Sequence, residues 1–291
     1  MSTPNNNAQS TWLITGASSG FGLSMSLEAL ARGHRVIGCT RNISKAESSN
    51  PTFAAKGGIW LTLDPGHPDS YKQFVRAAEE YDVDVLVNSA GYAFIGGVED
   101  TSEEEVRQQM EVNYWGPLRA VRAVLPSMRA KGKGEIVLIS SGAGFIAQAG
   151  RSAYSGSKFA IEAAHEALSR EVATLGIRVL IVEPGAFRTG FMHTIATPEI
   201  GHSEGYKGTA LETMVRMARG DPTVQRRIVL RGDPDKAARA IVKAVVEGHD
   251  YLRMILGPDC VAAYEQKMGE WKRDFEATRE IAMSTDFDEV E

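Results

Sequence analysis

Short apolar runs alternate along the chain with longer segments in which apolar residues recur every three or four positions. The short runs predict strands at 11–15, Arg35–Thr40, 59–63, 83–88, 135–140, 177–182 and 252–256. The longer segments predict helices at 21–32, Ser70–Tyr81, 102–131, 152–175, 208–219 and Pro234–Glu247. Most of the predicted strands are apolar throughout, which is typical of strands covered on both faces. The alternation predicts an α/β fold: a single doubly wound domain with a mainly parallel sheet and helices on both faces.

Two stretches do not follow this alternation. Residues 1–10 are polar, and we expect a disordered N-terminal segment there, followed by one domain over 11–291. Between the strand at 177–182 and the helix at Pro234–Glu247, a long connection carries a single helical pattern. Connections of that length in a compact domain are often lids over a ligand site. We expect a substrate lid around 190–220, with an ordinary surface insertion as the alternative.

The composition is that of an ordinary globular protein, since 43% of the 291 residues are hydrophobic and 24% are charged. A formal net charge of −5 and the lack of a long basic run argue against nucleic acid as a partner. No run of about 18 apolar residues occurs, so we expect no membrane span. The two cysteines, Cys39 and Cys260, fit a reducing compartment and a cytoplasmic protein. The six histidines lack the spacing of metal ligands, so no metal is expected.

A glycine-rich turn follows the first predicted strand. Gly16, Gly20 and Gly22 are spaced G-x-x-x-G-x-G and lead directly into a predicted helix. Gly16 permits a sharp turn, Gly20 lets the backbone approach a pyrophosphate, and Gly22 allows the helix to pack closely on the sheet. The helix N-terminus then offers free N–H groups to the phosphates. The position of the turn favours a dinucleotide-binding Rossmann domain over a glycine turn that binds nothing.

Four polar residues form a candidate catalytic group. Tyr154 and Lys158 lie four residues apart in a predicted helix, so their side chains share one face. An ammonium beside a phenol lowers the pKa of the phenol and favours proton exchange. Ser141 follows a predicted strand, at the edge where parallel sheets bind ligands, and could bind a substrate oxygen. Asn113, inside the helix at 102–131, could hold a water linked to Lys158; ordinary polar helix residues are the alternative.

Taken together, these residues resemble the short-chain dehydrogenase/reductase family over most of the chain. The family's Asn-Asn-Ala-Gly motif corresponds to residues 88–91, which read Asn-Ser-Ala-Gly here. Its Pro-Gly motif corresponds to Pro184 and Gly185, with the nicotinamide-contacting threonine at Thr189. The C-terminal region, 252–288, resembles the branch that includes 17β-hydroxysteroid dehydrogenases. The resemblance implies a Rossmann fold and a homo-oligomer.

The resemblance also implies a role for each candidate residue. Tyr154 would be the general acid in ketone reduction, and Lys158 would lower its pKa and hold the nicotinamide ribose. Ser141 would orient and polarise the substrate oxygen, and Asn113 would support a water relay. The implied cofactor-binding residues are Gly16, Ser18, Ser19, Gly20, Phe21, Gly22, Thr40, Arg41, Asp64, Asn88, Ala90, Gly91, Arg122, Tyr154, Lys158, Pro184, Gly185, Phe187 and Thr189. For Arg122, a surface arginine is the alternative.

The second predicted strand indicates which dinucleotide binds. A fold that prefers NAD usually has an acidic residue after this strand. Here Thr40 and Arg41 occupy that place, and the next carboxylate is Glu47. Arg41 could bind the 2′-phosphate of NADP through charge-assisted hydrogen bonds. Ser19 stands at the family's other frequent basic position, so Arg41 would act without that helper. We therefore expect NADP as the cofactor.

Apolar residues flank the expected catalytic edge of the sheet, namely Phe145, Ile146, Phe191, Met192 and Ile195. Ligand pockets combine apolar walls with a few polar groups. The expected function is therefore an NADPH-dependent oxidoreductase that transfers a hydride between NADP(H) and a carbonyl/alcohol pair on a bulky, hydrophobic small molecule. Two alternatives stay open on the same scaffold: a cofactor-dependent lyase or isomerase, and a non-catalytic NADP-binding regulator.

Overall fold

The computed structural model describes residues 9–225 and 230–287. Within them one parallel sheet contains the strands β1 Thr11–Ile14, β2 Arg35–Thr40, β3 Ile59–Thr62, β4 Val85–Asn88, β5 Gly134–Ile139, β6 Ile177–Pro184 and β7 Arg253–Leu256. The strand order is β3-β2-β1-β4-β5-β6-β7. The order reverses between β1 and β4, and the crevice at such a reversal is where open α/β sheets bind ligands.

The helices of the described residues cover both faces of the sheet. They are α1 Gly20–Ala31, α2 Ile43–Ser49, α3 Pro51–Ala55, α4 Ser70–Tyr81, α5 Glu103–Met110, α6 Gly116–Lys131, α7 Ser152–Glu171, α8 Ala210–Ala218, α9 Pro222–Gln225, α10 Pro234–Glu247 and α11 Pro258–Met283. Helices α1 and α10 pack together, as do α4 and α6. The predicted doubly wound fold is confirmed. The sequence patterns did not predict α2, α3, α9 or α11.

Alternate residues of a strand pack into different core clusters. Leu13 of β1 belongs to the cluster that contains Phe74 of α4. Its neighbours Trp12 and Ile14 belong to the opposite cluster, which contains Ile241 of α10. All of these side chains are buried. Because both faces of the strand are covered, β1 is apolar throughout rather than alternating.

The single helix predicted at 102–131 is wrong in its continuity. A π-helical turn at Glu111–Trp115 separates α5 from α6, and this turn contains Asn113. Gly116 and Pro117 follow the turn, and Pro117 has no N–H to donate. Gly116 packs closely on the loop after β3, since a Cβ added there would lie 2.8 Å from the Pro65 carbonyl oxygen. The turn directs the Asn113 side chain inward, and π turns are frequent at functional sites.

The structure gives the bounds of two further predicted helices. The helix predicted at 152–175 ends earlier, at Glu171. The helix predicted at 208–219 is confirmed as α8, inside the expected lid. The expectation of disorder at 1–10 falls on residues outside the described range, except for Gln9 and Ser10. None of the helices in the described ranges is long and apolar enough to cross a membrane.

We predict that alanine at Gly176 destabilises the fold more than alanine at Gly33. Both glycines have positive φ, +70° and +83°, so either substitution strains the backbone by about 1–2 kcal/mol. A Cβ at Gly176 would also overlap the Gly132 carbonyl, which adds about 1–3 kcal/mol, whereas Gly33 faces open space. Urea denaturation of the two variants measures the difference. Equal losses in the free energy of unfolding for the two variants would contradict the close packing of Gly176 against Gly132.

Candidate active site

The glycine turn between β1 and α1 packs against the segment that follows β4. Gly16 has φ +66°, and a Cβ there would lie 2.9 Å from the Cα of Ala90. A Cβ at Gly22 would overlap the Gly16 carbonyl oxygen. Only glycine satisfies both the positive φ and the close backbone approach at residue 16. The turn therefore places α1 directly behind residues 89–91.

Thr15 locks this contact, and the sequence patterns did not single it out. Its Oγ1 accepts hydrogen bonds from the N–H groups of Ser89 at 3.0 Å and Ala90 at 3.1 Å. It also lies 3.4 Å from the Val87 carbonyl, to which it donates. The signal available from sequence was a hydroxyl residue at the end of β1, immediately before the first glycine.

The N-terminus of α1 is open for an anion. The side chain of the N-cap residue Ser19 makes no capping hydrogen bond to the first turn. Gly20, the first residue of the helix, has φ +53° and faces Thr189, whose Cβ would lie 3.5 Å from an added Cβ. The uncapped N–H groups and the positive end of the helix dipole suit a phosphate. The cradle thus fits the pyrophosphate of a dinucleotide.

Phe21, Phe187 and Ser18 connect this cradle to its surroundings. The rings of Phe21 and Phe187 meet edge to face, with centroids 5.1 Å apart. The contact joins the start of α1 to the loop after β6. The carbonyl of Ser18 accepts a hydrogen bond from Asn50 Nδ2 at 3.0 Å, which ties the turn to the start of α3.

Tyr154, Lys158 and Ser141 come together at the carboxyl end of β5. Tyr154 and Lys158 lie on one face of α7 and are both buried. Ser141 follows β5, and its Oγ accepts a hydrogen bond from Ala143 N–H at 3.1 Å. Burial raises the pKa of Tyr154, while the Ser141 hydroxyl and the Arg151 guanidinium act in the opposite direction. The phenol is therefore protonated at neutral pH.

Lys158 is held as a buried ammonium. Its Nζ donates to the Ile139 carbonyl at 2.9 Å. Burial lowers the pKa of Lys158 to about 8, and the charge of Glu162 opposes that shift. A Cβ at Gly91 would lie 3.8 Å from Nζ, so the end of the β4 segment runs beside the amine. The amine therefore sits between β5 and the segment that the glycine turn contacts.

Asn113 is buried in the π-helical turn, and its amide is well occupied. Its Oδ1 accepts from Tyr92 N–H at 3.2 Å, and its Nδ2 donates to the Tyr92 carbonyl and to Ser157 Oγ, both at 3.0 Å. Asn113 thus fixes the loop after β4 to α7. A Cβ at Gly91 would lie 3.1 Å from its Oδ1, so Asn113 and Lys158 flank the same glycine. The water relay stays a prediction.

Arg41 and Asp64 line one cavity at the ends of β2 and β3. The cavity has a volume of about 240 Å³ and is lined by Arg41, Thr62, Leu63, Asp64, His67 and Gln73. Asp64 Oδ1 accepts a hydrogen bond from Gly66 N–H at 3.0 Å. Thr40 Oγ1 accepts from Asn42 N–H at 3.3 Å, so Thr40 orders the backbone after Arg41. His67 was not among the predicted residues, because nothing in its spacing set it apart.

The remaining predicted cofactor residues are placed by the ends of β4 and β6. Asn88 Nδ2 donates to the Pro117 carbonyl at 3.4 Å. Pro184 ends β6, and the N–H of Gly185 donates to the Leu256 carbonyl at 2.8 Å. Thr189 Oγ1 accepts from Phe191 N–H at 3.3 Å and caps the short helix that follows. These contacts set the backbone that borders the crevice.

Arg122 lies apart from this group. It is exposed on α6, and its guanidinium carbon lies 5.5 Å from the centroid of the Tyr71 ring. This cation–π contact joins α6 to α4. Its assignment as a cofactor contact stays a prediction.

The connection after β6 packs over the tyrosine. Its Phe191, Ile195, Met214 and Ala218 form one apolar cluster with Tyr154 and the residues Ala93, Ile95 and Ala143. The ring centroids of Tyr154 and Phe191 are 6.1 Å apart. Phe145 points elsewhere, since its ring stacks on Tyr264 of α11 at 4.5 Å.

One polar side-chain contact fastens this connection to the rest of the domain, and a second braces the connection internally. Ser203 Oγ donates to Asp100 Oδ1 at 2.5 Å. The Arg219 guanidinium donates to the carbonyls of Pro198 and Glu199 at 2.5 and 2.7 Å. The segment expected to form a lid therefore has a side-chain anchor on the rest of the domain at Asp100 and an internal brace at Arg219.

Comparison with known proteins places this site in a family. The model of the short chain dehydrogenase family matches residues 10–199. Oxidoreductase claN of Passalora fulva is 46% identical over 211 residues, covering 72% of this chain and 96% of that protein. The 3-ketodihydrosphingosine reductase of Bacteroides thetaiotaomicron is 34% identical, covering 84% of this chain and 87% of the relative. The crystal structure of a short-chain dehydrogenase from Streptomyces avermitilis has a TM-score of 0.85 at 35% identity, covering 96% of this chain and 100% of that one. The chain belongs to the short-chain dehydrogenase/reductase family and is an oxidoreductase.

Proposed function

We propose that the protein is an NADP(H)-dependent reductase of a carbonyl group on a bulky, hydrophobic small molecule. The observation that carries the proposal is the convergence of Ser141, buried Tyr154 and buried Lys158 beside an uncapped glycine turn. The cofactor, when bound, would supply the hydride. We extend the proposal to a homo-oligomer on the family resemblance, and to the cytoplasm on the composition and the two cysteines.

The residues of the chain would handle the proton and the developing charge. Since burial keeps the phenol of Tyr154 protonated, it can donate a proton to the carbonyl oxygen as negative charge develops there. The Ser141 hydroxyl would orient and polarise the same oxygen. The ammonium of Lys158 stabilises the phenolate that remains, and would hold the nicotinamide ribose. Asn113 would hold a water through which the proton returns from solvent.

The cavity beside Arg41 supports NADP(H) over NAD(H). Arg41 is exposed at the end of β2, and Thr40 provides no negative charge to repel a 2′-phosphate. His67 lines the same cavity and could add a hydrogen bond. Asp64 would contact the adenine, and the phosphates would lie on the N–H groups of Ser18–Gly22. Planar guanidinium groups suit phosphate recognition because they donate two parallel hydrogen bonds.

The apolar cluster over Tyr154 supports a bulky substrate. Phe191, Ile195 and Met214 belong to the segment that covers the phenol, and we propose that this segment is a lid over the carbonyl. A pocket with apolar walls and one polar end binds an apolar molecule by a single oxygen. The name of one relative, a reductase of a 3-keto compound, agrees with a ketone substrate.

Replacing Tyr154 by phenylalanine tests the proton donor. We expect kcat for ketone reduction to fall by about 10²-fold or more, because only the phenolic proton is removed. NADPH binding, followed by fluorescence, should be retained. The control is Tyr81→Phe, which alters a tyrosine on α4 whose ring contacts Arg35. Retention of most activity at saturating ketone by the Tyr154 variant would contradict the assignment of Tyr154 as the proton donor.

Replacing Arg41 by alanine tests the cofactor preference. We expect kcat/KM for NADPH to fall about 10- to 100-fold, with little change for NADH, because the charged hydrogen bonds to the 2′-phosphate are lost. The control is Lys45→Ala, which removes a nearby exposed charge on α2. Thr40→Asp should shift the preference towards NADH. Equal catalytic efficiency with both cofactors in the unmodified protein would refute the NADP(H) assignment.

Replacing Phe191 by alanine tests the apolar substrate wall. We expect KM for a bulky aromatic ketone to rise about tenfold, with a smaller change for cyclohexanone, which is too small to reach the ring. The control is Met192→Ala, since Met192 lies outside the cluster that contains Tyr154. Equal changes for both ketones would show that Phe191 supports folding rather than substrate binding.

A further inference from the structure

Two buried carboxyl groups lie behind the catalytic residues. Glu162 is on α7, one helical turn beyond Lys158, and Glu183 is at the end of β6. Glu162 is 4% exposed and Glu183 is fully buried. Buried glutamates are rare unless they are paired or carry out a task. Neither residue belongs to the proposed proton-donating group.

Glu162 contacts the turn that carries Ser141. Its Oε1 accepts a hydrogen bond from the hydroxyl of Ser140 at 2.5 Å. A Cβ at Gly144 would overlap Glu162 Oε1, so the backbone of this turn lies directly on the carboxylate. A glycine at position 144 is therefore needed for the carboxylate to reach Ser140.

Glu162 and Lys158 hold consecutive residues at the end of β5. Lys158 Nζ binds the carbonyl of Ile139, and Glu162 Oε1 binds the hydroxyl of Ser140. The carboxylate and the amine, one helical turn apart on α7, thus contact neighbouring groups at the end of β5. The charge of Glu162 raises the pKa of Lys158 against the effect of burial.

The guanidinium of Arg253 lies near both carboxyl groups. Arg253 Nε, on β7, lies 3.3 Å from Glu183 Oε1 and 3.5 Å from Glu162 Oε2. The same guanidinium binds Glu166 Oε2 at 2.8 Å, at the exposed end of the cluster. Glu166 also pairs with Arg170, so Arg253 is the cation that Glu162 and Glu183 have in common. A proton kept between the two buried carboxyl groups would reduce their mutual repulsion.

Groups from three elements face this pair. Tyr264 and Cys260 face it from α11, Arg253 from β7, and Lys158 and Glu166 from α7. Burial and the neighbouring Glu162 raise the pKa of Glu183 to about 8, while Tyr264 and Arg253 act in the opposite direction. The pair therefore keeps a proton at neutral pH, which reduces the repulsion between Glu162 and Glu183.

We propose that Glu162 is a positioning residue that couples the Lys158 ammonium to the Ser141 turn, with Glu183 as its buried partner. The proposal rests on the proposed reductase function. Glu162 acts through Lys158 and Ser140 and touches neither substrate nor cofactor. Without its charge, Lys158 loses its proton at a lower pH, and the phenolate left by Tyr154 loses its stabilising cation.

The first test is the pH profile of kcat/KM for ketone reduction by NADPH. In Glu162→Gln, the basic limb should move down by about one pH unit, the size of an effect from one nearby opposite charge. The matched control is Glu166→Gln, one turn further along α7, which binds the same Arg253 but contacts neither Ser140 nor Gly144. Its profile should match the wild type. Unchanged limbs in Glu162→Gln would overturn the coupling to Lys158.

A second test needs neither substrate nor cofactor. Because the folded chain keeps a proton on the pair that the unfolded chain releases at lower pH, the contribution of Glu183 to folding stability is fully present at low pH and is lost as the pH rises to about 8. Glu183→Gln cannot ionise, so its Tm should fall less between pH 6 and pH 9 than the Tm of the wild type. An equal fall in Tm with pH for the wild type and Glu183→Gln would overturn the inference that the pair keeps a proton.

The two tests separate failure of the inference from failure of the proposed function. A wild type that reduces no ketone contradicts the reductase assignment, while the comparison of Tm values still decides whether the pair holds a proton. NADPH binding, followed by fluorescence across the same pH range, repeats the comparison of Glu162→Gln with Glu166→Gln without turnover. A shift confined to Glu162→Gln supports the coupling, and equal curves overturn it.

Discussion

The hydrogen bond from Lys158 to the carbonyl of Ile139 is the contact on which the active site depends. It joins α7, which carries Tyr154, to β5, which leads to Ser141. In the proposed mechanism the amine serves the phenol only while it stays charged, and burial works against that charge. The surrounding structure must therefore supply a hydrogen-bond acceptor and negative charge. The Ile139 carbonyl and Glu162 meet these two needs.

On the other side of the crevice, the site is built from closely packed backbone rather than from charged side chains. The glycine turn leaves its N–H groups open because Ser19 does not cap α1. Thr15 accepts hydrogen bonds from the backbone of Ser89 and Ala90, which fixes the segment after β4 beside the glycine turn. One side of the crevice is thus prepared for an anion and the other for proton transfer. The topological reversal between β1 and β4 brings the two sides together.

The sequence predicted those features that depend on local chemistry or on simple periodicity. The apolar run at Thr11–Ile14 predicts a strand covered on both faces, and the glycine spacing predicts the turn that follows it. The π-helical turn at Glu111–Trp115 was not predictable, because one wider turn hardly changes the periodicity of a long helix. Glu162 and Glu183 were missed for a different reason. A charged residue in a helix or at a strand end is usually solvated, and only the packing of β7 and α11 over them makes them buried.

The C-terminal elements support the catalytic turn from beyond the part of the chain that the family model matches. That match ends at residue 199, whereas Asp259, Cys260 and Tyr264 belong to α11. Asp259 Oδ2 accepts from Ala186 N–H at 2.8 Å, in the loop that leads to the covering segment. Tyr264 stacks on Phe145, just after the turn of Ser141. One helix therefore contacts both the residues just after the Ser141 turn and the loop that leads to the segment over Tyr154.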